Sequence, residues 1–147
     1  MRSIETSIHI DARPARVWEV FSDFERYPDW NPFVASLDGR VALGERIAAR
    51  LTPPGGKGMT FKPKVMAVEP ERELRWLGHL FVPGLFDGEH QFLLEPIEGT
   101  GTRFVQREQF RGILVPLLLK MVGESTRDGF EAMNTALKLR VEAPEYR

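Results

Sequence analysis

The sequence contains no cysteine, which excludes disulfides, thiolate metal sites and thiol nucleophiles. Histidine is scarce: the three present, His9, His79 and His90, are dispersed and have no cluster of carboxylates near them, so no metal site and no cofactor are expected. A run of ~18 apolar residues, the length a bilayer-spanning helix needs, is missing. The longest apolar stretch, Ile113 to Leu119, is short and is interrupted by Pro116. Charge of one sign is missing too. With 20 basic and 21 acidic residues the formal charge is −1, and nothing offers an electrostatic footprint for nucleic acid. The opening Met1-Arg2-Ser3-Ile4-Glu5 has no apolar core of the signal-peptide kind, so a cytoplasmic location without an integral membrane segment is the expectation. There is no internal repeat, linker or low-complexity tract.

What remains is 147 residues with 42% hydrophobic and 28% charged side chains, enough apolar material for one domain over residues 1–147 with a sizeable core. Ile4, Ile8 and Ile10 alternate with Glu5, Ser7 and His9, which predicts a half-buried first strand. Pro14 suits the first turn of a helix, and Val17, Val20, Phe21 and Phe24 recur at helical spacing, so a short helix is expected over 14–22. Tyr27-Pro28-Asp29-Trp30-Asn31-Pro32 cannot continue it and reads as a turn-rich connector, with room for one more helical turn before it. Further strands are expected at 33–37, 46–51, 60–68, 73–80, 86–95 and 102–110. Pro53-Pro54-Gly55-Gly56-Lys57-Gly58 is a loop; it lacks phosphate-loop spacing and does not open a helix. Pro116 to about Glu142 then forms one long amphipathic helix, with Val115, Leu118, Leu119, Val122, Thr126, Phe130, Met133 and Leu137 at steps of three and four. Gly123 and Gly129 lie on that helix, where each costs about 1 kcal/mol relative to alanine; small residues facing a curved sheet leave space for a cavity.

The order of these elements resembles a known family. Arg13-Pro14-Ala15-Arg16-Val17-Trp18 opening the first helix, Asp23 and Tyr27 to Pro32 after it, and Gly101-Thr102-Arg103 before the last strand are similar to the START-related helix-grip superfamily (SRPBCC), in its polyketide cyclase/dehydrase and lipid-transport branch. Arg13 departs from the small capping residue of many relatives. The resemblance implies an α+β helix-grip fold: a curved seven-stranded antiparallel sheet wrapped around the long C-terminal helix, with two short helices after strand one. It also implies a largely apolar pocket between sheet and helix, used in the family for lipids, polyketides, quinones and hormones, by enzymes and by chaperone co-factors alike.

Strand parity selects the side chains for that pocket. Leu74, Trp76 and Leu80 share one face, as do His90, Phe92 and Leu94, and Phe104, Gln106, Glu108 and Phe110. With Gly123, Thr126, Phe130 and Met133 of the helix, the expected ligand-binding set is Trp76, His90, Phe92, Phe104, Glu108, Phe110, Gly123, Thr126, Phe130 and Met133. The same residues also fit an ordinary packed core. His90 and Glu108 read either as a satisfied hydrogen-bonded pair, as a polar anchor for a ligand, or as an acid–base couple in which the carboxylate fixes the tautomer and raises the histidine pKa. No serine, histidine and aspartate stand in a nucleophile-elbow context. The apolar segments Leu80–Phe86 and Ile113–Leu119 either cover each other or, together, gate the pocket mouth, touch a membrane transiently or form a dimer contact. The function expected is binding or transport of a small hydrophobic ligand by a monomer or homodimer; a cyclase/dehydratase-like enzyme and a chaperone-like interaction module are the alternatives.

Overall fold

The alternating N-terminal segment forms β1 (Arg2–Ile10) in the computed structural model of the protein, which describes residues 2–143; Ile4, Thr6 and Ile10 are buried. Pro14 opens α1 (Pro14–Phe21) at its first turn. The Arg13 cap is extended (φ −68°, ψ 153°) and makes no side-chain cap bond, as its departure from a small polar residue implies. Val17, Val20 and Phe21 turn inward.

The connector is more helical than its two prolines suggest. A 3-10 turn at Phe24–Arg26 leads into α2 (Tyr27–Trp30), because Pro28 falls in the first turn of the new helix, where a missing N–H costs nothing. Asn31 ends it: its Oδ1 accepts from the backbone N–H groups of Phe33 (3.0 Å) and Val34 (2.9 Å), and this turns the chain into β2 (Val34–Asp38). There follow β3 (Ala48–Leu51), β4 (Met59–Phe61), β5 (Lys64–Glu69), β6 (Glu73–Leu80), β7 (Phe86–Pro96), β8 (Thr102–Arg111) and α3 (Val115–Glu142).

The sheet expected as one of seven strands is instead two: five antiparallel strands in the order β1-β8-β7-β6-β5, and three in the order β2-β3-β4. Pro63 is the physical reason. It divides the expected 60–68 strand into β4 and β5, since it has no N–H to donate to a ladder. Its carbonyl still accepts from the Ile47 N–H (3.0 Å), and a single bridge pairs Arg46 with Lys64, so the two sheets meet at a corner. The helix-grip arrangement of a long C-terminal helix on an antiparallel sheet holds.

The two halves of α3 behave differently. Phe130, Met133, Asn134, Leu137 and Val141 are buried, and polar ties fasten this half along β1. Lys138 Nζ donates to the His9 carbonyl (2.9 Å), Arg127 to the Glu5 carbonyl (3.0 Å), and Glu142 Oε2 accepts from the Asp11 N–H (2.8 Å). The first half stands away, with Leu117 and Met121 well exposed. Its two glycines do opposite things. A Cβ on Gly129 would collide with the Phe33 ring, so this glycine admits the close approach that lets Phe33 pack edge-on to Phe130 at 5.5 Å. A Cβ on Gly123 would meet nothing within 4 Å.

This contrast makes a paired prediction for chemical denaturation. Gly123→Ala stabilises by about 1 kcal/mol through helix propensity alone. Gly129→Ala destabilises by roughly 1–3 kcal/mol through overpacking against Phe33. Effects of the same sign at both positions would contradict the packing described.

Candidate functional site

Antiparallel register assembles the site. Trp76 lies opposite His90, and His90 opposite Glu108, so the three form one row across β6, β7 and β8. The adjacent row runs Leu74, Phe92, Gln106 and Thr6. The buried half of α3 closes on this second row, while the outer half stands off from the first.

The result is a cavity of about 290 Å³ between the sheets and α3, near the lower end of the ~300–1,000 Å³ usual for ligand sites. Of the residues expected there, Trp76, His90, Glu108, Phe110 and Thr126 line it. Phe92, Phe104, Phe130 and Met133 are fully buried in the packed core beside it, and Gly123 lies outside the lining. The split has a physical cause. Phe21 from α1 packs against Phe92 (5.2 Å) and Phe104 (5.5 Å) and fills that end of the grip, while Phe33 fills the space over Phe130. Leu118, Val122 and Ser125 of α3, and Ala49, Leu51 and Phe61 of the smaller sheet, complete walls that are mostly apolar. A second hollow of about 390 Å³, by Arg2, Phe110 and Pro116, is more open to solvent, and its lining holds no histidine or carboxylate.

One corner of the cavity is polar. His90 is 2% exposed and its ring is held among aromatics: stacked on Phe92 (4.1 Å), tilted against Phe130 (4.7 Å) and edge-on to Trp76 (5.5 Å). Its Nε2 donates to Gln106 Oε1 (3.0 Å). Gln106 Nε2 donates to the Phe130 carbonyl (3.1 Å) and to Asn134 Oδ1 (2.8 Å), and Asn134 Nδ2 donates to Thr6 Oγ1 (2.9 Å). On its other side His90 Nδ1 lies 4.0 Å from Glu108 Oε1.

These contacts reverse the expected electrostatics of the pair. Gln106, not Glu108, holds the imidazole tautomer. Burial lowers the His90 pKa from 6.5 to about 3, outweighing the Gln106 bond, which favours the charged form. Burial raises Glu108 from 4.5 to about 7, although 19% of its side chain reaches the cavity space. Near neutrality the corner therefore holds an uncharged imidazole beside a carboxyl group that readily keeps its proton.

Strand parity alone missed several residues. Gly88 is one: a Cβ there would collide with the Glu108 carboxylate, so only glycine lets Glu108 lie across β7 toward His90. An isolated glycine inside an alternating strand is the available signal. Asp87 is another. It stands opposite His79 in the β6–β7 register, and its Oδ1 is hydrogen-bonded to His79 Nδ1 (2.7 Å). Its two carboxylate oxygens also take the Gly84 N–H (3.2 and 3.1 Å), clamping the loop at the cavity rim. Asn134 could be reached only through its position four residues after Phe130, one helical turn along the same face. Among the described residues, no cluster of three or more potential metal ligands is found.

The two apolar loops do converge: Ile113 N–H donates to the Gly84 carbonyl (3.2 Å) and Leu114 N–H to that of Leu85 (2.9 Å). They do not bury each other. Phe81 (69% exposed), Ile113 (77%) and Met121 (72%) remain open, an apolar collar near the Leu80, Phe86 and Leu118 side of the cavity. No helix among the described residues is long and apolar enough to cross a membrane.

The raised Glu108 pKa predicts a pH signature. The folded state binds that proton more tightly than the unfolded chain, so its stability contribution is complete below pH 4.5 and is lost as pH rises through 7. Glu108→Gln removes the loss. The stability of the variant relative to the parent should therefore climb between pH 4.5 and 7, by up to about 3 kcal/mol, and then level off. Urea unfolding across this range measures it; a difference independent of pH would show that the carboxyl is not desolvated.

With this geometry in hand, comparison with known proteins is informative. No curated protein matches the sequence significantly. Solved structures do match. Protein TTHA0849 of Thermus thermophilus is 25% identical, with 95% of this chain and 97% of that one covered at a TM-score of 0.71. Zhui aromatase/cyclase of Streptomyces sp. R1128 is 16% identical, covering 97% and 96% at 0.70. A norcoclaurine synthase point mutant of Thalictrum flavum, solved with a transition-state analogue, is 16% identical, covering 95% and 93% at 0.72. At 16% identity the last two speak to the fold alone. The model of one family, polyketide cyclase/dehydrase and lipid transport, matches residues 1–142, and the chain belongs to that family.

Proposed function

We propose that this protein binds, and hands on, a small hydrophobic ligand held between the sheets and the first half of α3. The observation that carries the reading is the cavity of about 290 Å³ with mostly apolar walls and a buried polar corner at His90 and Glu108, with Lys57 and His79 also in its lining. Apolar walls supply affinity through burial, and a few fixed polar groups supply orientation. The space itself favours a ligand over the filled core that a pure protein-interaction module would need. The exposed collar of Phe81, Ile113 and Met121 gives an apolar guest a path in that avoids full hydration.

A second reading, a cyclase or dehydratase, is favoured by one observation. His90 Nδ1 and Glu108 Oε1 are 4.0 Å apart, which sets a base and an acid at one end of the cavity. Eliminating water from a β-hydroxy carbonyl would use the imidazole to take the α-proton and the carboxyl to protonate the departing hydroxyl. On this reading, turnover is lost in His90→Phe while binding survives.

Blocking the cavity tests the primary reading. Thr126→Trp fills it from α3 and should weaken uptake of the neutral probe Nile red by about tenfold or more, with cooperative thermal unfolding retained. Gly123→Trp, three residues away and outside the lining, should leave uptake unchanged. Equal uptake by parent and Thr126→Trp would place the ligand elsewhere.

A further inference from the structure

The hydrogen-bond directions at the polar corner follow from one group that cannot change role. The Phe130 carbonyl is a backbone acceptor, so the Gln106 end facing it at 3.1 Å must be the NH₂ group. Gln106 Oε1 therefore faces His90, and only an N–H can satisfy it. His90 consequently carries its proton on Nε2 and presents Nδ1 as a bare acceptor. The ring cannot turn to exchange the two edges, because it is packed on Phe92 and Phe130. Asn134 and Thr6 extend the chain and hold Gln106 in place.

The acceptor edge faces the Glu108 carboxyl at 4.0 Å. That is too long for a direct bond, yet a single oxygen off the line between the two atoms lies within about 2.8 Å of both. An atom there must give a proton to Nδ1 and offer a lone pair to the carboxyl group. A hydroxyl does both. A carboxylate has no proton to give and would bring its charge against a lone pair in apolar surroundings. A hydrocarbon would leave both polar groups unmet, and sites built to hydrogen-bond a hydroxyl reject analogues that lack it.

Resting on the ligand-binding reading, we infer that the Thr6–Asn134–Gln106 chain is a positioning device that locks His90 in one tautomer, so that Nδ1 and the Glu108 carboxyl together select a hydroxyl-bearing apolar ligand (an alcohol, phenol or enol) over carboxylates and plain hydrocarbons.

Three probes on one skeleton test this: naphthol, naphthalene and naphthoate, titrated calorimetrically into the whole protein at about pH 6, where the acid is ionised. Naphthol should bind tightest, by about tenfold or more. His90→Phe should reduce naphthol to the affinity of naphthalene while naphthalene still binds; if that variant does not fold, Glu108→Leu carries the same expectation. Nitrogen-15 NMR of the unliganded protein should show His90 protonated at Nε2 and bare at Nδ1, and Gln106→Leu should mix the two tautomers, which a purely structural glutamine would not control. Naphthoate or naphthalene binding as well as naphthol overturns this inference and leaves the ligand-binding reading standing. So does a proton on Nδ1. Binding of none of the three overturns both.

Discussion

The Gln106 side-chain amide is buried between β8 and α3 with both of its ends engaged, and most of the architecture around the site depends on it. A buried amide left unpaired would cost about 1–3 kcal/mol. Satisfying it requires α3 to present the Phe130 carbonyl and Asn134, and β7 to present His90, at one depth in the core. Asn134 in turn reaches Thr6 on β1. Three strands and one helix are thereby held to a single register by groups that apolar packing alone would let slide.

The same constraint explains why the cavity lies where it does. With the second half of α3 fastened to β1, the first half lines the cavity through Leu118, Val122 and Thr126, together with Ala49, Leu51 and Phe61 of the smaller sheet. Phe21 and Phe33 fill the grip beside the fixed point, whereas Phe61, Phe86 and Phe110 further out line the cavity walls. The chemistry of the corner follows from this packing. His90 is neutral because it is buried among aromatic rings, and Glu108 holds its proton more tightly than a free carboxyl group because Gly88 lets it lie against the strand, largely out of bulk water.

Periodicity made the helix grip legible. β1, β6, β7, β8 and α3 all fall within a few residues of where alternation and three–four spacing place them, because each buries one continuous apolar face. Pro63 shows where such reading stops. The apolar pattern runs straight through it, while the missing N–H divides the ladder and turns one sheet into two. For the site, parity identified the inward residues and even the facing pair His90 and Glu108. It could not tell lining from core, since that depends on Phe21 and Phe33 arriving from distant elements. Nor could it give the sign of the pKa shifts: strand parity offers Glu108 as the partner for His90, but the nearest polar atom belongs to Gln106, on the neighbouring row.

Native mass spectrometry of the freshly purified protein, followed by solvent extraction, tests the central claim most directly. The account predicts a discrete one-to-one adduct, or one formed on adding a lipophile, that extraction releases as a small neutral molecule. A bare protein mass, with no adduct and no thermal stabilisation by any lipophile tried, would contradict it and leave the cavity as packing space.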